Sequence, residues 1–180
     1  MAKFKKIILI CAILFAVFLT FNAVLKKLYP ALYMDIIIES AKQYNLDPLL
    51  ILSVIRAESN FSEYAISHKE AKGLMQLKSD TARWCAQQMG DGGFTEEKIY
   101  EPRTNIQIGV WYLNYLIEQF EGNCRLGITA YNAGIGNVKK WLENTDYSAN
   151  GNELDKIPFR ETERYIKRVL NNYAIYKMLY

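Results

Sequence analysis

The chain has 180 residues, of which 51% are hydrophobic and 23% charged, enough apolar material for one core plus a short appendage and too much for a disordered chain. Its net charge of +3 misleads: five of the 22 basic residues flank one hydrophobic stretch near the start, while all 19 acidic residues lie further on. The remaining body is slightly acidic, which argues against nucleic-acid binding, and a single histidine (His68) without Cys/His/Asp ligand spacing argues against a zinc site.

From Ile7 to Leu25 the sequence reads IILICAILFAVFLTFNAVL, 19 residues without a charge. That length crosses a bilayer core as a helix. Lys3, Lys5 and Lys6 precede it and favour a cytoplasmic start, although Lys26 and Lys27 follow and weaken the asymmetry. A secretory signal peptide is the competing reading, but Asn22-Ala23-Val24-Leu25 makes a poor cleavage site. The expected organisation is a cytoplasmic segment 1–6, a membrane-spanning signal anchor 7–25, a link 26–31 containing Pro30, and one extracytoplasmic domain 32–180. Either reading of the hydrophobic stretch puts that domain outside the cytoplasm.

Beyond the link the periodicity is helical. Met34–Tyr44 places Ile37, Ile38 and Ala41 on one side. Asp47-Pro48 opens a second helix, with Asp as cap and Pro at the first position, where its missing N–H costs nothing. That helix runs to about Ser59 and is apolar at Leu49, Leu50, Ile51, Leu52, Val54 and Ile55, which predicts a buried central position. Ser79-Asp80 is expected to cap a helix to Met89, stopped by Gly90. Ile106, Val110, Leu113, Ile117 and Phe120 form a clear helical stripe. Shorter helices over Leu126–Ala133 and Val138–Leu142 are expected to break at Gly134 and Gly136, and the last helix carries Tyr165, Val169, Tyr173 and Tyr176. Nothing alternates as a strand would, so the domain reads as all-α. Cys11 lies in the hydrophobic stretch. Cys85 and Cys124 are read as partly buried thiols, with a disulfide between them as the alternative.

Glu58 needs explaining. It lies three and four positions after Ile55 and Val54, on the apolar side of a buried helix. A carboxylate there is costly to ionise and its pKa is expected to rise, as a general acid working near neutral pH requires; a solvated helix-end glutamate is the plainer alternative. Gly73-Leu74-Met75-Gln76-Leu77 follows between helices. Its glycine would let backbone approach a ligand, and Gln76 offers donor and acceptor to sugar hydroxyls and N-acetyl groups. An ordinary interhelical turn would look the same. Ala130-Tyr131-Asn132-Ala133-Gly134 reads either as a C-cap or as a phenol and an amide presented to a sugar.

Taken together, Glu58-Ser59, GLMQL at 73–77, AYNAG at 130–134, and Glu161-Thr162 with Tyr165 resemble the soluble lytic transglycosylase family of murein-degrading enzymes, similar in fold to goose-type lysozyme. The resemblance covers roughly residues 32–180. It implies an all-α, lysozyme-like domain with Glu58 as catalytic acid/base and Ser59, Met75, Gln76, Tyr131, Asn132 and Tyr165 around a sugar-binding groove. Gly73 and Glu161 take supporting parts; Glu161 reads equally as a capping or salt-bridging residue. Phe61, Tyr64, Trp84 and Trp111 belong to core or groove wall.

Retaining and inverting glycosidases use two carboxylates, but no second Asp or Glu here belongs to a family motif with a nucleophile or base role. Glu63, Glu70 and Asp80 sit in loop-like or capping contexts. The resemblance implies that one carboxylate does both jobs. Glu58 protonates the oxygen between N-acetylmuramic acid and N-acetylglucosamine, then accepts the proton of the 6-hydroxyl as a 1,6-anhydro ring closes. Peptidoglycan strands are then the substrate, the bilayer meets residues 7–25, and no metal or cofactor is implied. A lysozyme-type hydrolase and a glycan-binding scaffold of an envelope-spanning machine are the rivals.

Overall fold

Helix α1 (Ala2–Leu28) opens the computed structural model, which describes residues 2–180. It is long and apolar enough to cross a membrane, and none of its apolar stretch is buried against the rest of the protein. Its two polar interior side chains are satisfied within the helix: the Thr20 hydroxyl donates to the Ala16 carbonyl (3.0 Å) and Asn22 Nδ2 donates to that of Phe18 (2.9 Å). The helix continues three residues past Leu25, so part of the expected link is helical.

Seven α-helices follow: α2 (Met34–Gln43), α3 (Pro48–Ser59), α4 (Ser79–Gln88), α5 (Pro102–Glu118), α6 (Cys124–Ala133), α7 (Ile135–Leu142) and α8 (Arg160–Leu179). A short 3-10 helix, Glu96–Tyr100, leads into α5. No strand forms among the described residues; isolated bridges pair Lys72 with Ile66 and with Leu77. The all-α expectation holds.

Local chemistry accounts for most boundaries. Asp47 caps α3 by accepting from the Leu49 N–H (2.8 Å), with Pro48 behind it. Asn123 caps α6 by accepting from Leu126 (3.1 Å). The Ser79-Asp80 cap does not form. Lys78 occupies the N-cap without a side-chain bond, Ser79 and Asp80 lie in the first turn, and the Ser79 hydroxyl donates instead to Glu96 (2.7 Å). Tertiary partners outcompeted the local cap. Gly134 separates α6 from α7, but Gly136 lies inside α7.

Helix α3 is the centre, with Leu52, Val54 and Ile55 fully buried. It packs chiefly along α8 and also on α2, while α5 packs on α6. The stripe Ile106, Val110, Leu113, Ile117 and Phe120 is buried throughout. Three apolar clusters result, and Tyr131 packs against all of them. Cys85 is buried in one, where burial pushes its thiol up to about 12, whereas Cys124 is exposed; both are free.

Candidate active site

Helix α3 ends abruptly just after Glu58. Asn60 (φ 49°) and Phe61 (φ 65°) are both left-handed, and Phe61 turns back into the core. This costly pair of conformations reverses the chain at the glutamate. Glu58 keeps an opening to solvent through the cleft above it, yet its carboxyl is packed closely enough that burial dominates its titration. Its pKa is raised to about 7, burial being the largest influence, while Tyr165 and Arg168 pull it down and Glu161 pushes it up. The Tyr165 hydroxyl is itself fully buried beside the carboxyl and bonds to no other group among the described residues, and its donation toward Glu58 is what pulls that pKa down.

The loop after α3 forms the second wall. Its frame is Asn105 on α5, fully buried, whose Oδ1 accepts from the Met75 N–H (2.7 Å) while Nδ2 donates to the carbonyls of Ile99 (2.7 Å) and Lys72 (3.2 Å). Gly73 sits at φ 76°, where a Cβ would lie 2.2 Å from Asn105 Nδ2 and 2.7 Å from the Ile99 carbonyl oxygen. The close approach that demands glycine is therefore to the protein's own clamp, and not to a ligand as the motif suggested. Gln76, also left-handed, donates Nε2 to the carbonyls of Ala65 (3.1 Å) and Gly73 (2.9 Å). Its N–H groups hold the loop, which leaves the amide oxygen for the cleft.

The third wall comes from α6 and α8. The Tyr131 hydroxyl donates to the Met75 carbonyl (2.8 Å), tying α6 to the loop, and Asn132 Oδ1 accepts from Thr162 (2.8 Å), tying α6 to α8. Together these elements enclose a cleft of about 400 Å³. Glu58, Gln76, Tyr131, Asn132, Glu161 and Tyr165 all line it, so six residues from four motifs converge. Three expected site residues do not line it. Met75 is fully buried, with its side chain packed where any Cβ on Gly109 would strike its sulfur at 2.4 Å. Ser59 returns its hydroxyl to the Ile55 carbonyl (3.3 Å), and Gly73 lies behind the wall. These three shape the site and leave its surface to others.

Those others include His68, Lys69, Lys78, Tyr112 and Arg168, which carried no motif signal. Lys69 reaches across the rim to both carboxylate oxygens of Glu161 (2.9 and 3.0 Å), holding that carboxyl below its ordinary range. The neighbouring acids stay out of the cleft: Glu63 accepts from the Tyr33 hydroxyl (2.6 Å), and neither Glu70 nor Asp80 lines it. Of the four aromatics read as core or wall, Phe61 is buried and Tyr64 exposed, while Trp84 and Trp111 pack edge to face (5.5 Å) outside the cleft. Among the described residues, no three His, Cys, Asp or Glu side chains gather as a metal would need.

With this geometry in place, the comparisons with known proteins point to one family. Residues 35–153 match the family described as the transglycosylase SLT domain. The chain belongs to this family. It is 32% identical over 155 residues to the soluble lytic murein transglycosylase of Escherichia coli K12, covering 85% of this chain and 24% of that protein. A membrane-bound lytic murein transglycosylase C from Sodalis glossinidius is 31% identical, with 77% and 45% covered. The 70-kDa soluble lytic transglycosylase of E. coli superimposes with a TM-score of 0.77 at 30% identity, over 86% of this chain and 25% of that one. An inactive glutamate-to-glutamine mutant of the Pseudomonas aeruginosa enzyme superimposes with a TM-score of 0.75 at 31% identity, over the same 86% and 25%. The SLT domain thus has the lysozyme-like, all-helical fold of these enzymes. It spans about a quarter of the length of the soluble relatives it matches.

Proposed function

We propose that this SLT domain is a membrane-anchored peptidoglycan lytic transglycosylase that breaks the bond between N-acetylmuramic acid and N-acetylglucosamine, with Glu58 as its single acid/base. The observation that carries the reading is the Glu58 carboxyl, raised to about 7 by burial at the floor of the cleft. Near neutral pH a substantial fraction of it holds the proton that the leaving oxygen needs. Glu161, the other carboxylate of the cleft, is ionised and tied to Lys69 at the exposed rim. Its lowered pKa suits it to a structural charge and not to proton donation. The relatives' names and the inactive glutamate-to-glutamine mutant among them support the same chemistry.

In the proposed reaction Glu58 protonates the glycosidic oxygen as its bond to C1 breaks. The substrate's own acetamido oxygen stabilises C1, so no protein nucleophile is needed. The Glu58 carboxylate then accepts the proton of the 6-hydroxyl, whose oxygen closes onto C1 as the 1,6-anhydro product. Donation from the buried Tyr165 hydroxyl and the Arg168 charge favour the ionised form at that stage, which is why both lower the pKa. Gln76 Oε1, Tyr131 and Asn132 offer polar and aromatic contacts to the sugars.

For the chain as a whole we propose a cytoplasmic segment 1–6, a single span over 7–25, a link to 31 and an extracytoplasmic domain 32–180. The apolar α1 and the membrane-bound relative support this arrangement. The test is digestion of purified peptidoglycan by the full chain in detergent, with muropeptides read by mass spectrometry. Products one water lighter than reducing sugars, lost in Glu58→Gln, are expected. Reducing-end products would make the domain a lysozyme-type hydrolase, and binding without release would make it a scaffold.

A further inference from the structure

The last turn of α8 does not end free in solvent. It is built onto the exit of α1. Tyr29, the first residue past that helix, is held between the Arg56 guanidinium (3.9 Å from its ring centre) and the edge of Tyr176 (5.7 Å). The Tyr176 hydroxyl donates to the Pro30 carbonyl (3.0 Å), and the Tyr180 hydroxyl donates to that of Tyr29 (3.1 Å). The Lys26 ammonium lies 5.1 Å from the centre of the Tyr180 ring. Lys26 directly follows the uncharged stretch, so a bilayer that takes up that stretch has its headgroups at Lys26. Tyr180 is then level with those headgroups, and with it the rest of the turn.

What the turn presents there fits that environment. Leu28 (58% exposed) on the last turn of α1, Met178 (66%) and Tyr180 (52%) at the end of α8, and Leu32 (45%) just beyond the exit of α1 are large apolar side chains open to solvent. Lys26, Lys27 and Lys177, neighbours of these residues in the chain, have no salt-bridge partner among the described residues, and the Lys177 ammonium lies over the Tyr173 ring one turn back along α8 (5.3 Å). Apolar and aromatic groups mixed with lysines are the composition of a membrane–water boundary, where rings sit at headgroup level and ammonium groups meet anionic lipid.

We infer that the last turn of α8, with Leu28 and Leu32, is a second membrane contact that seats the domain on the anionic surface of the bilayer α1 crosses. The inference rests on the membrane-anchored reading. It turns the anchor from a leash into a bracket: Tyr165 in the cleft lies 15 residues back along α8 from Tyr180, at most about 22 Å above the surface at 1.5 Å per residue. The domain would then cleave strands next to the membrane and not those further out.

The test is a depth measurement on the full chain in nanodiscs containing phosphatidylglycerol. Cys11→Ser and Cys124→Ser remove the exposed thiols, and Cys85 is buried. An environment-sensitive fluorophore is placed at Met178→Cys, with Phe15→Cys as the bilayer control and Asp80→Cys as the solvent control. The expected result is that headgroup-level spin-labelled lipid quenches most of the emission at 178 and none at 80, and that zwitterionic discs weaken the quenching. Quenching at 15 with full iodide access at 178 would overturn the second contact and leave the anchor standing. Aqueous exposure at 15 would overturn both. A site at 178 shielded from iodide but unquenched by lipid would assign the face to a protein partner and overturn the lipid contact.

Discussion

The floor and the rim of the cleft each carry one glutamate, and their environments push them in opposite directions. Glu58, at the end of α3, is raised to about 7 because burial outweighs the help of Tyr165 and Arg168. Glu161, at the start of α8, is lowered because Lys69 donates to both its oxygens in an exposed setting. The side chains are identical. One becomes a proton carrier and the other a fixed charge because of what surrounds them, which is how a single carboxyl can be read as the acid/base without a second glycosidase-type partner.

The hardest test of this contrast is to remove the floor carboxyl. Glu58→Gln is expected to abolish anhydro-muropeptide release, a loss of about 10²–10⁴ or more for one general acid/base, whereas Glu161→Gln is expected to retain measurable cleavage. The same floor variant should gain stability. A buried acid whose pKa rises from 4.5 to about 7 on folding leaves stability unaffected at low pH, where both states hold the proton. Stability then falls as pH climbs through that window, by up to about 3 kcal/mol. Denaturant melts of Glu58→Gln against the natural chain should coincide near pH 4 and separate in the variant's favour near pH 8.

The clamp beneath the wall comes next. Asn105→Ala leaves the Met75 N–H without its acceptor and the Ile99 and Lys72 carbonyls without that donor, and is expected to cost about 2–3 kcal/mol, measured by urea unfolding. Activity should fall with it, because Gln76 and Tyr131 both bond to the same loop. Tyr165→Phe removes an influence that lowers the Glu58 pKa. The alkaline limb of kcat/KM, where the acid loses its proton, should therefore move to higher pH; a shift the other way would mean that the hydroxyl does not favour the carboxylate. At the rim, Lys69→Ala breaks an exposed pair and should change stability by no more than about 0.5 kcal/mol, while letting the Glu161 carboxyl rise toward its ordinary range, readable by NMR titration.

Several of these features are legible in consecutive residues. The Asp47-Pro48 start of α3, the α5 stripe, the burial behind Glu58 and the length of α1 all follow from local pattern. They depend on near-neighbour chemistry and on the helical period, and a short window of the chain carries both. The Ser79-Asp80 cap failed because Glu96, 17 residues away, took the serine hydroxyl. Met75 and Ser59 were placed at the groove by their motifs, yet neither side chain lines the cleft. A motif shows that a position matters; which way its side chain points depends on neighbours such as Gly109.

By itself the sequence determined an apolar helix long enough for a membrane, an all-helical domain, its family resemblance and a glutamate on a buried face. Each is a matter of composition, period or short-range order. Only the tertiary structure decided that Asn105 clamps the motif loop, that Lys69 neutralises Glu161 across the rim, and that Tyr176 and Tyr180 grip the exit of α1. Those contacts join residues from 30 to 151 positions apart. Pairings at such separations follow from how the helices pack against one another, which no local window of the chain contains.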